Sequence, residues 1–194
     1  VLTNSVGAVT SAPPAVLAVT ARPTYATVAL TENFNGYSGN QNNLQYQTGL
    51  KVSHSGSVPG WNKAGGGAIH AVDRTGSGNY AAMIWQDNVL TLASGIPANE
   101  LAVTYHVDFT VAPATYSENT QATTETDGMA IEILRADYTV LATYTCYPGA
   151  WGTQSFAPFT FQYQGDGSGP VLVRVGPLAA TGHFCGAIDN LRLA

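Results

Sequence analysis

The stretch Leu101-Ala-Val-Thr-Tyr-His-Val-Asp-Phe-Thr-Val111 sets a large apolar residue at every odd position, with Thr104, His106, Asp108 and Thr110 among the even ones. Side chains of an extended strand alternate between its two faces, so this spacing predicts a strand with one face buried and one wet. The same period of two runs through Met129-Ala-Ile-Glu-Ile133, Phe159-Thr-Phe-Gln-Tyr-Gln164 and Val171-Leu-Val-Arg-Val175, and shorter strands are expected at 25–30, 68–72, 80–85, 89–92 and 139–145. No segment keeps a helical period over three turns. Turn clusters at Gly76-Ser-Gly-Asn79, Gly95-Ile-Pro-Ala-Asn99 and Gly165-Asp-Gly-Ser-Gly-Pro170 separate the strands. About ten strands at this spacing, without helices, predict an all-β sandwich or barrel.

Composition narrows the class. Charged residues make up 10% of the chain, against roughly 25% in an average soluble protein, and Thr, Ser, Asn, Gly and Tyr replace them. Such a surface fits a secreted β-protein, so an extracellular or cell-surface location is expected. The net charge is −5 and no two basic residues are adjacent, which argues against nucleic acid, whose phosphates demand clustered positive charge. No apolar run approaches the ~20 residues of a membrane-spanning helix. The chain opens on Val1 without a signal peptide and reads as a processed product, a fragment or an expressed piece. Cys146 and Cys185 are the only cysteines; they form either a disulfide or two free buried thiols, and the export-like composition favours the disulfide. Residues 112–127, polar and Thr-rich, are expected to form a long exposed loop.

Two resemblances extend this reading. From Glu32 onward the order of motifs resembles the galactose-binding-like jelly rolls of secreted bacterial proteins, many of them carbohydrate-binding modules. The matching pieces are Thr31-Glu-Asn-Phe34, Val58-Pro-Gly-Trp61, Gly95-Ile-Pro-Ala-Asn99 and the closing Gly186-Ala-Ile-Asp-Asn-Leu-Arg-Leu193. The resemblance implies a β-sandwich jelly roll over 25–194 whose first and last strands lie side by side. It also implies a structural Ca²⁺ near them, with Glu32 and Asp189 as side-chain ligands and the loop from Asn35 to Asn43 supplying carbonyls or amides. Residues 1–24 form a separate N-terminal extension, and Leu2 to Val19 resembles the final hairpin of a bacterial immunoglobulin-like domain.

Sequence signatures of catalysis are weak. G-x-S-x-G, H-E-x-x-H and phosphate-cradling loops do not occur. His106 and Asp108 share a strand face, and Glu132 could join Asp108 as an acid pair, but an ordinary polar sheet face explains the same spacing. Aromatic residues are the stronger signal. Trp151, Trp85, Tyr147 and Trp61 sit in or beside loops rich in Gly, Pro and Asn, with Gln86 and Asp87 next to Trp85. Exposed rings stack on the flat apolar faces of sugars while nearby amides and carboxylates take the hydroxyls. A Trp after Pro-Gly also plugs the end of a sandwich, so Trp61 has a core reading as well. A ligand held on a sheet face would instead meet His106, Asp108, Glu132, Gln162 and Arg174. The expectation is a non-catalytic glycan-binding module. The alternative is a self-assembling filament or adhesive subunit joined by strand addition through residues 1–24.

Overall fold

The computed structural model describes residues 2–4, 7–9, 28–35, 44–45, 51–55, 58–65, 69–73, 80–85, 89–112, 128–147, 156–178 and 184–194. Among these residues there are fifteen strands and no helix. In chain order they are β1 (Leu2–Asn4), β2 (Gly7–Val9), β3 (Leu30–Glu32), β4 (Leu44–Gln45), β5 (Lys51–Ser55), β6 (Trp61–Ala64), β7 (Ile69–Asp73) and β8 (Tyr80–Trp85). There follow β9 (Val89–Leu92), β10 (Thr104–Ala112), β11 (Met129–Arg135), β12 (Val140–Cys146), β13 (Ala157–Gln164), β14 (Val171–Pro177) and β15 (Phe184–Leu193). An eight-stranded sheet runs β13-β10-β15-β8-β7-β5-β4, with β3 also on β15, and a five-stranded sheet runs β12-β11-β14-β9-β6. β1 and β2 pair only with each other among the described strands. The expected boundary near residue 24 lies outside the described residues, as does the expected loop at 112–127 apart from Ala112, which ends β10.

The two large sheets face each other as a jelly-roll sandwich. The expected neighbours are present: β3 pairs antiparallel with β15, Leu30 opposite Leu193 and Glu32 opposite Leu191. Alternation explains the core directly. Val107, Phe109 and Val111 from β10 meet Ile131, Ile133, Val173 and Val175 from the other sheet, and all are essentially inaccessible to water. Burying each such side chain stabilises the fold by about 1.5–3 kcal/mol. Where edge strands β12 and β13 face one another, aromatic rings fill the opening. Tyr144 stacks on Phe161 with centroids 5.2 Å apart, and Phe109 on Phe159 at 5.7 Å.

The pattern breaks at two instructive places. Leu101, expected inside a strand, is 75% exposed. Ala102 takes a left-handed φ of 63°, which turns the chain, and the strand begins only at Thr104. In β15, simple alternation would put Asp189 on the same side as Leu191 and Leu193, inside the core. Asn190 instead adopts φ 52°, and the β10–β15 register shifts between Asp108 and Thr110. This bulge turns Asp189 to the outer face beside Thr110, whose hydroxyl donates to the Asp189 carbonyl (3.1 Å). Asn tolerates the left-handed conformation better than a β-branched residue would, so the residue type and the bulge agree.

At the end where β15 stops, the 95–103 and 165–170 loops are clamped together. The Asn99 amide nitrogen donates to Asp166 Oδ1 (2.8 Å), Ser168 Oγ (3.0 Å) and the Gly169 carbonyl (3.0 Å), while its oxygen accepts from Asp166 N–H (2.8 Å). Arg135 Nε donates to Asp166 Oδ2 at 2.7 Å. Hydrogen bonds from the Ser168 hydroxyl and N–H, then from Asn99 and Arg135, hold the Asp166 carboxyl well below the usual carboxylate range. A lowered carboxyl pKa contributes stability that is full above the unfolded-state value and lost as the pH falls through the folded one. Any side chain at Gly165 would overlap the Glu100 carbonyl oxygen, so the close loop approach requires glycine. Asn99 is 5% exposed, so Asn99→Ala leaves several polar groups without partners. We expect a loss of about 2–3 kcal/mol in denaturant unfolding. An unchanged midpoint would show that the clamp is not structural.

Candidate functional site

The sandwich has two distinct ends. β3 begins and β15 finishes at the clamped end just described. At the opposite end β8 finishes with Trp85, paired to Phe184 at the start of β15, and β12 finishes with Cys146, paired to Met129 at the start of β11. β9 and β13 also begin there. Trp85 and Tyr147, far apart in sequence and carried by different sheets, are thereby brought to one end. Trp151, Gln86 and Asp87 lie outside the described residues, in segments whose flanking strands stop and restart at that end. Trp61 does not join them. It pairs with Leu92 toward the clamped end, is 6% exposed, and packs beside Phe34 with ring centroids 5.9 Å apart. Its place among the ligand-stacking candidates is therefore corrected: it plugs the core, and its Nε1 donates to Glu32 Oε2 at 3.0 Å.

Tyr147 opens onto the outer face of the five-stranded sheet, and the register lays that face out in rows. Met129 opposes both Cys146 and Pro177, which sets Gly128 between Tyr147 and Leu178. Both side chains are substantially exposed, at 55% and 36%. A Cβ on Gly128 would lie 2.5 Å from Leu178 Cδ1 and 2.9 Å from Tyr147 Cε1, so the absent side chain is what lets the ring settle there. The next row is Thr145, Ala130, Gly176 and Val89, small at its centre. The third is Thr143, Glu132, Arg174, Thr91 and Asn62, one residue from each strand. Arg174 Nε donates to Glu132 Oε2 at 2.5 Å. An aromatic ring, a floor of small residues and a polar row thus follow one another across this sheet.

The other residues considered for a sheet-face site lie elsewhere. His106 and Asp108 do share a face, the outer face of the eight-stranded sheet, where His106 lies opposite Gln162 and Asp108 contacts Arg192 Nη1 at 3.4 Å. Glu132 and Arg174 are on the outer face of the other sheet. The whole core separates Asp108 from Glu132, so the two carboxylates cannot flank one glycosidic bond. No group of three His, Cys, Asp or Glu side chains suited to a metal occurs among the described residues.

The expected calcium ligands also separate. Glu32 faces inward with its partner Leu191, and its two carboxylate oxygens accept from Phe34 N–H (2.6 Å) and Trp61 Nε1 (3.0 Å). Asp189 is fully buried on the outer face, accepting from Asn190 N–H at 2.7 Å. The pair expected to share one ion points to opposite sides of the sheet, which corrects Glu32 as a co-ligand of Asp189. Asn35 donates its N–H to Asn33 Oδ1 at 3.2 Å, and Asn43 lies outside the described residues.

No protein-family model matches the chain, and neither does any curated protein. Among solved structures it is similar to an arabinose-bound GH51 α-L-arabinofuranosidase, at 14% identity and TM-score 0.51 over 89% of this chain and 30% of that one. It is also similar to the CBM22-1 xylan-binding domain of a Paenibacillus barcinonensis xylanase, with 10% identity, 87% and 94% coverage and TM-score 0.40. A Cellvibrio mixtus lichenase module solved with cellotriose gives 13%, 86% and 97%, and 0.43. At these identities the likeness concerns the fold, the jelly roll that the closing motif resembles. The chain spans less than a third of the arabinofuranosidase.

Cys146 is buried and free, so the expected Cys146–Cys185 disulfide is corrected. Burial pushes its thiol up to about 12, which leaves almost no thiolate at neutral pH. Thiol titration of unreduced protein should count two thiols per chain in denaturant, with Cys146 silent in the native state. A count of zero would restore the disulfide.

Proposed function

We propose that this chain is a non-catalytic, extracellular carbohydrate-binding module that holds a glycan at the end and sheet face marked by Tyr147. The observation that carries the reading is the exposed Tyr147 ring beside the row of Gly128, Ala130 and Gly176, at the end of the sandwich where β8 also finishes with Trp85. A ring on a firm scaffold gives stacking area at small entropic cost, and Gly128 lets the Tyr147 ring lie low against the sheet with its other face open to a sugar. The separation of Asp108 from Glu132 supports the non-catalytic part, and the low-charge, hydroxyl-rich surface supports the extracellular part. Trp151, Gln86 and Asp87 lie outside the described residues and enter the proposal only as the residue types that the sequence offers.

Tyr147→Ala should weaken glycan retention in affinity electrophoresis about tenfold, the equivalent of ~1.4 kcal/mol, with the melting midpoint nearly unchanged. Trp85→Ala and Trp151→Ala should act alike, whereas Trp61→Ala should lower the midpoint. Retention equal to wild type in all three ring variants would refute the site.

A structural calcium ion belongs to this proposal with Asp189, not Glu32, as its carboxylate. What supports the reading is the place of Asp189, a carboxylate on the outer face of the last strand within the motif whose resemblance implies the ion; its two oxygens accept from Asn190 N–H (2.7 Å) and Asn190 Nδ2 (3.3 Å). Ca²⁺ at about a hundred times its dissociation constant would add ~2.7 kcal/mol and raise the melting midpoint by several degrees. Glu32→Gln should keep that rise and Asp189→Asn should lose it. An identical midpoint in calcium and in chelator would remove the ion.

A further inference from the structure

We infer that the Glu132–Arg174 couple sets the ligand class of this face: a neutral glycan presenting two adjacent hydroxyls. The inference rests on the glycan-binding reading above and deepens it. Glu132 and Arg174 are directly opposed across β11 and β14, two residues along their strands from the Ala130–Gly176 pair and four from the level of Tyr147. Their side chains are 19% and 32% exposed, so they are reachable yet held. The hydrogen bond between them uses Nε of the guanidinium and Oε2 of the carboxylate only. Among the described residues nothing else accepts from the two Nη groups of Arg174 or donates to Oε1 of Glu132. A guanidinium pinned at Nε presents its Nη donors as a fixed fork, and the spare carboxylate oxygen beside it is an acceptor.

Two hydroxyls on neighbouring ring carbons match this arrangement. Their oxygens accept from the Nη groups, and one hydroxyl hydrogen is donated to Oε1. The couple has no net charge. A uronate or sulfate drawn to Arg174 would be repelled by Glu132 next to it, in a chain of net charge −5. A Cβ on Gly176 would press to 3.1 Å from Val89 Cγ2, so glycine there lets Val89 pack low over the sheet and keeps the surface between Tyr147 and the couple shallow.

The test uses the intact chain with cellotriose, xylohexaose and β-1,4-galactotriose as neutral probes, their vicinal di-O-methyl derivatives, and an oligogalacturonate as the acidic probe. At least one neutral probe should bind. Its di-O-methyl derivative should bind at least tenfold more weakly, and Arg174→Lys and Glu132→Gln should each lose about tenfold with melting midpoints held. Lys keeps the charge and loses the fork, so a purely electrostatic role would not show that loss. Binding that falls with Tyr147→Ala but not with Arg174→Lys or Glu132→Gln overturns this inference and leaves the glycan reading intact. Preference for the oligogalacturonate overturns the neutral class. Wild-type protein that binds no probe overturns the inference together with the reading it rests on.

Discussion

Strand β15 is hydrogen-bonded to β10, β8 and β3, and most of the large sheet is organised around it. An inner strand satisfies its backbone on both sides, which removes the cost of burying unpaired amides and carbonyls while Ile188, Leu191 and Leu193 enter the core. The strand can carry this load only because of the Asn190 bulge. Without that one extra residue, Asp189 would face the aliphatic layer, where a carboxylate costs several kcal/mol unless paired. With it, the same strand delivers three apolar side chains inward and sends its charge outward. The first strand of the sandwich then has a fixed partner, and Glu32 is left inside to meet the indole of Trp61.

That local choice explains why the strand organisation was legible from sequence while the ligand set was not. Period-two alternation over β10, β11, β13 and β14 follows from the pleat itself, so faces and core residues could be read directly. The closing Gly186–Leu193 motif located the adjacent first and last strands. Asp189 and Glu32 both appear in motifs, but their direction depends on a bulge that shifts phase by one residue. Alternation counted along the chain carries no mark of such a shift beyond an Asn that tolerates a positive φ. Leu101 fails for the same reason, since Ala102 takes a left-handed conformation that alanine does not advertise. Strands β4 to β6 were missed because Leu44 to Ala64 mixes Gln, Lys, His and Gly with few apolar residues, and tertiary pairing overrides such weak local preference.

The candidate site was legible in its residue types and not in its grouping. Trp85 and Tyr147 stood out as loop aromatics, yet only topology shows that β8 and β12 finish at the same end. Glu132 and Arg174 each fell on a polar phase, as did His106, Asp108 and Gln162. Sequence gives phase within a strand but not which sheet the strand joins, so five residues that looked equivalent divide between two faces separated by the core. Signals for the small floor were present in Gly128, Ala130 and Gly176. They gain meaning only when the register sets the first beside Tyr147 and the other two opposite each other.

The two ends of the sandwich differ: one is clamped, and the other carries the proposed site. At the clamped end, Asn99, Asp166 and Arg135 join loops with short, charge-assisted hydrogen bonds, and the ladder of β15 finishes against β3 and β10. Such bonds leave few unsatisfied groups to offer a ligand. At the other end Tyr147 and Leu178 are both exposed, over a glycine. The Glu132–Arg174 couple lies between these regimes, held by one hydrogen bond and open at its remaining donors and acceptor. A surface pair of this kind adds little to stability. Its value to the proposed site is geometric: the sheet fixes both backbones in register and so holds the fork and the spare oxygen in orientation, and such preorganisation lowers the ordering cost that binding a polar, uncharged molecule in water would carry.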